Sequence, residues 1–144
     1  MAKCKDFRGH EEALKKSFQN GLSQTLGLEF LAAYEDGLEV KVEVSDKHSR
    51  PGGIANGGLA LALLETVGSI SAYAQIDGAT STAMGTSVSM NHLKAVKVGE
   101  TITARSKAVH IGRSTQIWDV EVRNAKAELT SSGRITMLVI SRKN

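Results

Sequence analysis

The sequence has one cysteine, one proline and only 4% aromatic residues. The single cysteine, Cys4, cannot form a disulfide within the chain, so a reducing compartment is expected and we predict a cytoplasmic protein. With so few aromatic rings, a stacking platform for single-stranded nucleic acid is not expected. Charge of one sign is not in large excess either, because the net charge is only +3 and the basic residues are scattered. We therefore predict no nucleic-acid partner.

Two kinds of catalytic motif are also missing from the sequence. His48, His92 and His110 do not have the spacing of metal ligands, and no helix carries a His-x-x-x-His pair. The Gly-x-Ser-x-Gly turn that places the nucleophile of many serine hydrolases is absent as well. We expect neither a metal site nor a resident cofactor, and the sequence does not support a serine hydrolase.

Only one long hydrophobic run is present, and it covers residues 57–76. Three glycines and several polar side chains interrupt this run, namely Glu65, Thr66, Ser69 and Ser71. These interruptions argue against a membrane span, and residues 1–6 lack the apolar core of a signal peptide. We predict a buried core helix and no association with a membrane.

The hydrophobic pattern predicts one amphipathic helix over residues 10–20, ended by Gly21, and a long helix from Asn56 to about Gln75. Apolar or alternating stretches predict strands at residues 28–34, 38–44, 83–93, 101–111, 116–122 and 128–140. Short turns between successive strands favour antiparallel pairing. We predict an α+β fold in which a curved antiparallel sheet of five to six strands wraps one long central helix. We expect residues 1–24 to form an amino-terminal helical segment and residues 25–144 to form the main part of a single domain.

The long helix contains one carboxylate, Glu65, which shares a face with the small residues Gly68, Ser69 and Ala72. Glu65 could pair with a lysine or arginine, or it could act as a general base or nucleophile whose reactivity is raised by partial burial. The Gly57-Gly58 pair could form a tight junction, or it could expose backbone N–H groups that stabilise an oxyanion.

The glycine pair and the carboxylate are far apart on the predicted helix. Asn56 and Glu65 are separated by nine residues, which is roughly 13 Å along one helix. This distance is too long for both ends to act on one small group. If they act together, we expect them to come from different subunits.

Four segments together resemble the hotdog-fold acyl-CoA thioesterases of the group related to the phenylacetate-pathway and 4-hydroxybenzoyl-CoA thioesterases. The segments are residues 50–58, 64–69, 89–93 and 110–120, and the resemblance extends over about residues 25–140. It implies a homodimer or homotetramer with active sites between subunits, and coenzyme A only as part of the substrate. It also implies that Glu65 is the catalytic carboxylate, that the Gly57 N–H binds the thioester oxygen, and that Ser69 positions water or the carboxylate.

The resemblance also assigns residues to substrate binding. Gly58, Ser87 and His92 would contact the substrate beside the helix or in the acyl pocket, and the turn with Arg113, Ser114 and Thr115 would meet the phosphates or pantetheine of coenzyme A. Two positions near the catalytic helix depart from the family pattern. Asn56 stands where the family usually has histidine, and Arg50 stands where it usually has glutamine or asparagine. Arg50 could add charge near the carbonyl or pair with Glu65.

The resemblance favours an acyl-CoA thioesterase that hydrolyses an aryl- or medium- to long-chain acyl-CoA to the free acid and coenzyme A. A non-catalytic acyl-CoA-binding protein is the alternative from another class, with Asn56 and Arg50 as signs of lost chemistry. A hotdog dehydratase or hydratase is disfavoured because those enzymes rely on a catalytic histidine, and Asn56 cannot carry a proton.

Overall fold

The computed structural model describes residues 2–143. Two short helices come first, α1 (Glu11–Lys16) and α2 (Gly21–Leu26), followed by strands β1 (Glu29–Tyr34) and β2 (Gly37–Glu43). A 3-10 turn (Asp46–His48) and two short strands, β3 (Ser49–Arg50) and β4 (Ile54–Ala55), lead into the long helix α3 (Gly57–Gln75). Four long strands complete the chain: β5 (Ser81–His92), β6 (Thr101–Ile111), β7 (Thr115–Asn124) and β8 (Leu129–Ser141).

Six strands form one antiparallel sheet in the order β1-β2-β6-β7-β8-β5. Helix α3 connects β2 to β5, which lie near opposite edges, and it contacts β2 and all four long strands as it crosses the sheet. The predicted α+β hotdog architecture, with one long helix against a curved antiparallel sheet, is therefore confirmed.

Helix α3 is long and apolar enough to cross a membrane by length and composition alone. In the fold, the side of α3 that carries Leu63, Leu64 and Val67 is completely buried and belongs to the hydrophobic core. This side of α3 is apolar because it packs against the sheet.

The amino-terminal residues belong to the same hydrophobic core as the sheet. Phe7, Leu14 and Phe18 are buried in the cluster that also contains Trp118, and the Phe7 and Trp118 rings pack edge to face at 5.9 Å. The segment also forms a hydrogen bond to α3, in which the Lys5 N–H donates to Gln75 Oε1 at 2.7 Å.

The helical segment before the sheet differs from the prediction for residues 10–20. Helix α1 ends at Lys16, and Gly21 begins α2 although we expected it to end the preceding helix. The glycine that ends a helix here is Gly27, which has a left-handed conformation (φ 74°). In this turn the Gly27 N–H donates to the Gln24 carbonyl and the Leu28 N–H donates to the Ser23 carbonyl, as in a Schellman motif.

Helix α3 begins and ends as predicted, but it is buried on only one side within the protomer. Glu65 and Leu61 are exposed, whereas Gly68 and Ala72, which we placed on the Glu65 face, point into the core. Leu64 and Val67 occupy the adjoining buried positions, so the helix has a sharp boundary between core and open surface. The expectation that burial raises the reactivity of Glu65 is therefore wrong for the single protomer.

Candidate active site

The start of α3 presents one free backbone donor. Asn56 caps the helix, because its Oδ1 accepts the Gly58 N–H at 2.8 Å. The Asn56 N–H itself donates to the His48 carbonyl at 2.7 Å. The Gly57 N–H has no acceptor within residues 2–143. Of the two N–H groups that the glycine pair offers, Gly58 is used by the cap and Gly57 is available to a ligand.

A buried histidine, for which no role was predicted from the sequence, holds the loop that leads to this helix. His48 is only 5% exposed. Its Nδ1 accepts the Ser45 N–H at 3.0 Å, and its Nε2 donates to the Leu26 carbonyl at 2.7 Å. The imidazole therefore has one fixed tautomer and supports Asn56 through its backbone carbonyl. A local signal was present in the sequence, because Ser45 and His48 have the spacing of a capping box.

His92, at the end of β5, packs directly on the backbone of Gly57. A Cβ atom on Gly57 would lie 3.0 Å from His92 Nε2, so any side chain at residue 57 would crowd the imidazole. The other ring nitrogen, Nδ1, lies 3.0 Å from the hydroxyl oxygen of Ser131 on β8. Glycine at position 57 thus lets the histidine ring approach the helix start closely.

These groups line one cavity of about 340 Å³ beside the start of α3. Arg50, Asn56, Gly57, His92 and Lys94 all contribute to its wall, and no carboxylate does. Lys94 forms an ion pair with Glu128. The only acceptor of the Arg50 guanidinium in the described part of the chain is the Pro51 carbonyl, at 3.4 Å. Pairing of Arg50 with Glu65, which the sequence left open, is not found in the protomer.

Glu65 lies on the open side of α3, against the edge strand β5. Ser69 Oγ is 3.5 Å from Glu65 Oε1, at the limit of a hydrogen bond, and 3.9 Å from the sulfur of Met137. A Cβ atom on Gly85 would lie only 2.5 Å from Glu65 Oε1. The carboxylate therefore occupies space that is open only because residue 85 is glycine. Gly85 was not among the residues predicted from the sequence, because its role depends on where β5 passes beside Glu65 of α3.

The remaining predicted substrate-binding residues lie elsewhere. Ser87 is exposed on β5 and follows a bulge in the pairing with β8. The turn that carries Arg113, Ser114 and Thr115 joins β6 to β7, and Arg113 lines a hollow with Gln75 at the carboxyl end of α3. In one protomer this turn and Gly57 thus lie near opposite ends of the helix.

Two other chemistries receive no support from the structure. No group of three or more histidine, cysteine, aspartate or glutamate residues within residues 2–143 is placed to hold a metal ion. Burial raises the pKa of the Cys4 thiol to about 11, and the nearby carboxylates of Asp36, Asp6 and Glu35 add to this effect. Cys4 is therefore protonated at neutral pH and unsuited to act as a nucleophile.

Residues 52–131 match the profile of the thioesterase superfamily. The chain belongs to this superfamily. A thioesterase of Haemophilus influenzae has a similar structure, with a TM-score of 0.86 and 31% identity over 98% of this chain and 96% of that one. A mutant thioesterase of Pseudomonas aeruginosa also gives a TM-score of 0.86, with 29% identity over 92% and 94% of the two chains.

A curated relative has a more specific name. The 1,4-dihydroxy-2-naphthoyl-CoA hydrolase of Listeria monocytogenes is 32% identical over 119 residues, which cover 83% of this chain and 95% of that protein. Together these matches show that the protein is a thioester hydrolase with a hotdog fold.

Proposed function

We propose that the protein hydrolyses acyl-CoA thioesters, with aryl- or medium- to long-chain acyl groups, to the free acid and coenzyme A. The observation that carries this proposal is the Gly57 N–H at the positive end of α3, which has no acceptor among residues 2–143 and lines a cavity to which no described aspartate or glutamate contributes. Such a donor can stabilise the negative charge that develops on a thioester oxygen. The name of the Listeria relative, a hydrolase of an aromatic acyl-CoA, supports the aryl class.

In the proposed reaction, the thioester carbonyl oxygen accepts the Gly57 N–H. Glu65 takes a proton from a water molecule whose oxygen attacks the carbonyl carbon, and Ser69 helps to orient this water. The tetrahedral intermediate then collapses, the C–S bond breaks, and the thiolate of coenzyme A leaves and takes up a proton. Alternatively, the Glu65 carboxylate attacks the carbonyl carbon itself, and water hydrolyses the resulting anhydride.

A single turnover in water labelled with ¹⁸O tests the nucleophilic role of Glu65. If the carboxylate is the nucleophile and water attacks the anhydride at its side-chain carbonyl, label enters Glu65, and mass spectrometry of its peptide detects it. General-base catalysis, like opening of the anhydride at the acyl carbonyl, places label only in the released acid, so label in Glu65 identifies the nucleophile.

We further propose that each active site combines the Gly57 of one protomer with the Glu65 of another. The two residues are eight positions apart on one helix, roughly 12 Å, which is too far for one carbonyl group. The edge strand β5 supports pairing with a second copy, because among the described residues it pairs only with β8. It also exposes apolar side chains, since Met84 is 56% and Val88 42% exposed. We expect a homodimer or homotetramer in solution, in which the Arg113–Thr115 turn contacts coenzyme A.

Replacing Gly57 by proline removes the backbone donor but also adds a Cβ atom that crowds His92. Gly57→Ala adds the same Cβ atom and keeps the N–H, so the effect of Gly57→Pro is measured against Gly57→Ala. Proline is well tolerated at the first position of a helix, and Asn56 already has the extended conformation (φ −64°, ψ 135°) that a following proline requires. We expect Gly57→Pro to lower kcat by about 10²- to 10³-fold relative to Gly57→Ala while the helix remains formed. Equal turnover of the two variants would contradict the assigned donor.

Replacing Glu65 by glutamine tests the carboxylate. We expect Glu65→Gln to lower kcat by about 10²- to 10⁴-fold, the usual contribution of a general base. Glu12→Gln, which alters an exposed carboxylate on α1, is the matched control and should retain full turnover. Release of coenzyme A from a panel of aryl- and acyl-CoAs provides the measurement. Tight binding of acyl-CoA without thiol release by the native protein would instead favour a non-catalytic binding protein.

Mixing the two variants tests whether the residues come from different subunits. A mixed dimer of Gly57→Pro and Glu65→Gln protomers contains one intact site if the residues act across the interface. Random reassociation should then restore about a quarter of the native turnover, because half of the dimers are mixed and each has one good site. If both residues act within one protomer, every site stays defective and mixing restores nothing.

A further inference from the structure

The hydroxyl of Ser131 is buried and has one polar neighbour. Ser131 lies on β8 and is 5% exposed. Its Oγ is 3.0 Å from His92 Nδ1, and no other hydrogen bond of this oxygen occurs among residues 2–143. Residues 92 and 131 are directly paired across the two strands, so the contact is set by the register of the sheet.

The contact with Ser131 couples the hydroxyl to the tautomer of His92. A buried hydroxyl needs an acceptor for its hydrogen, and among residues 2–143 the one ring or carbonyl atom that is hydrogen-bonded to Ser131 Oγ is Nδ1 of His92. When Ser131 donates to Nδ1, this is the unprotonated nitrogen of the neutral ring. The proton of the neutral imidazole is then on Nε2.

Nε2 lies close to the backbone of Gly57, the candidate oxyanion donor. His92 Nε2 would lie 3.0 Å from a Cβ atom on Gly57, and no partner for Nε2 occurs in the described part of the chain. Because Cβ and N of one residue are about 2.5 Å apart, Nε2 lies within about 5.5 Å of the Gly57 nitrogen. One oxygen atom can accept hydrogen bonds from two donors at such a separation.

We propose that Ser131 holds His92 in the tautomer that directs an Nε2–H group beside the Gly57 N–H, so that both groups bind the thioester carbonyl oxygen. Ser131 is a positioning residue, because it acts through His92 and does not touch the substrate. The proposal rests on the acyl-CoA thioesterase function proposed above. His92 is then a second hydrogen-bond donor to the substrate at the start of α3. The Asn56 side chain at the same place is already used to cap the helix.

Nuclear magnetic resonance of ¹⁵N-labelled protein tests the tautomer without any turnover assay. In the native protein above the titration range of the ring, we expect a protonated Nε2 and an unprotonated Nδ1 for His92, identified by the loss of these signals in His92→Gln. Ser131→Ala should give a mixture of tautomers, and Ser131→Thr should restore the native pattern. A native His92 with the proton on Nδ1 would overturn the proposal, whether or not the protein hydrolyses acyl-CoA.

A double-mutant cycle tests the consequence for catalysis. His92→Ala should lower kcat by about 10²-fold or more, as expected for loss of an oxyanion donor. Ser131→Ala should lower kcat several-fold with little change in KM, and Ser131→Thr should recover it. His92→Gln places an amide near the Nε2 position, so in this background Ser131→Ala should have no further effect.

The control for this cycle is Ser132→Ala, at the next residue of β8, where the side chain points to the other face of the sheet. It should leave kcat and the histidine spectrum unchanged. Equal effects of Ser131→Ala in the native and His92→Gln backgrounds would show that Ser131 does not act through His92. If the native protein releases no thiol, the proposed function fails, and the spectrum alone then decides the tautomer.

Discussion

Replacing Gly85 by alanine should disable the candidate carboxylate without disturbing the fold. The added Cβ would lie 2.5 Å from Glu65 Oε1, whereas ordinary contact begins at 3.4 Å. The carboxylate must therefore retreat by roughly 0.9 Å, and it can do so because it is the flexible end of an exposed side chain. A misplacement of about 1 Å in an active site can cost about 10²-fold in rate. We expect Gly85→Ala to lower kcat by about 10²-fold, which corresponds to about 2.7 kcal/mol of activation free energy.

The assay is steady-state release of coenzyme A, combined with thermal unfolding of each variant. We expect the melting temperature of Gly85→Ala to stay within about 2 °C of the native value. A destabilisation of about 1 kcal/mol would lower the melting temperature by more than this. Gly78→Ala is the matched control, because a Cβ atom on Gly78 meets nothing within 4 Å. Native turnover by a well-folded Gly85→Ala would refute the reasoning, since it would mean that the position of Glu65 against β5 does not matter for catalysis.

Three further predictions concern the helix cap, the core and the thiol. Asn56→Ala should destabilise the protein by about 1 kcal/mol in denaturant titrations, because the Gly58 N–H loses its acceptor. Asn56→Asp should keep the cap and the stability but lower kcat, because it adds a negative charge beside the Gly57 N–H. Phe7→Ala should cost about 3–5 kcal/mol in a single unfolding transition, because Phe7 is buried against Trp118. Cys4 should react slowly with iodoacetamide at pH 8 and faster as pH approaches 11, because its raised pKa keeps the thiolate scarce.

Each of these predictions has a clear contrary result. Full turnover in Asn56→Asp would mean that no negative charge develops near the helix start. Two separate transitions in Phe7→Ala would mean that residues 1–24 unfold independently of the sheet. Alkylation of Cys4 at the same rate in native and urea-unfolded protein would contradict its raised pKa.

The elements of the fold were largely predictable because their signals are local. Strict alternation of apolar and polar residues marks β2 and β7, and Asn56 before a long apolar run marks the start of α3. The error at Gly21 has a local cause too. A glycine can either begin or end a helix, and here Gly27 ends it with a left-handed conformation.

The candidate site was only partly predictable, because its pieces meet across the sheet. The resemblance named Gly57, Glu65 and His92, and the structure brings Gly57 and His92 together. The structure places Glu65 on the exposed side of α3. Its neighbour there is Ser69, which lies four residues further along the same helix. No pattern along the chain pointed to Gly85, since its role depends on the space that its missing side chain leaves for the carboxylate.

By itself, the sequence determined the long capped helix, the antiparallel strands and the family, because helical periodicity, strand alternation and capping each act over a few neighbouring residues. Only the tertiary structure decided that one side of α3 is open, that Gly85 leaves room for Glu65, and that Ser131 meets His92. Ser131 and His92 are 39 residues apart and are joined by strand register. Such contacts depend on how β5 and β8 align and on how α3 lies across them, which are properties of the whole sheet.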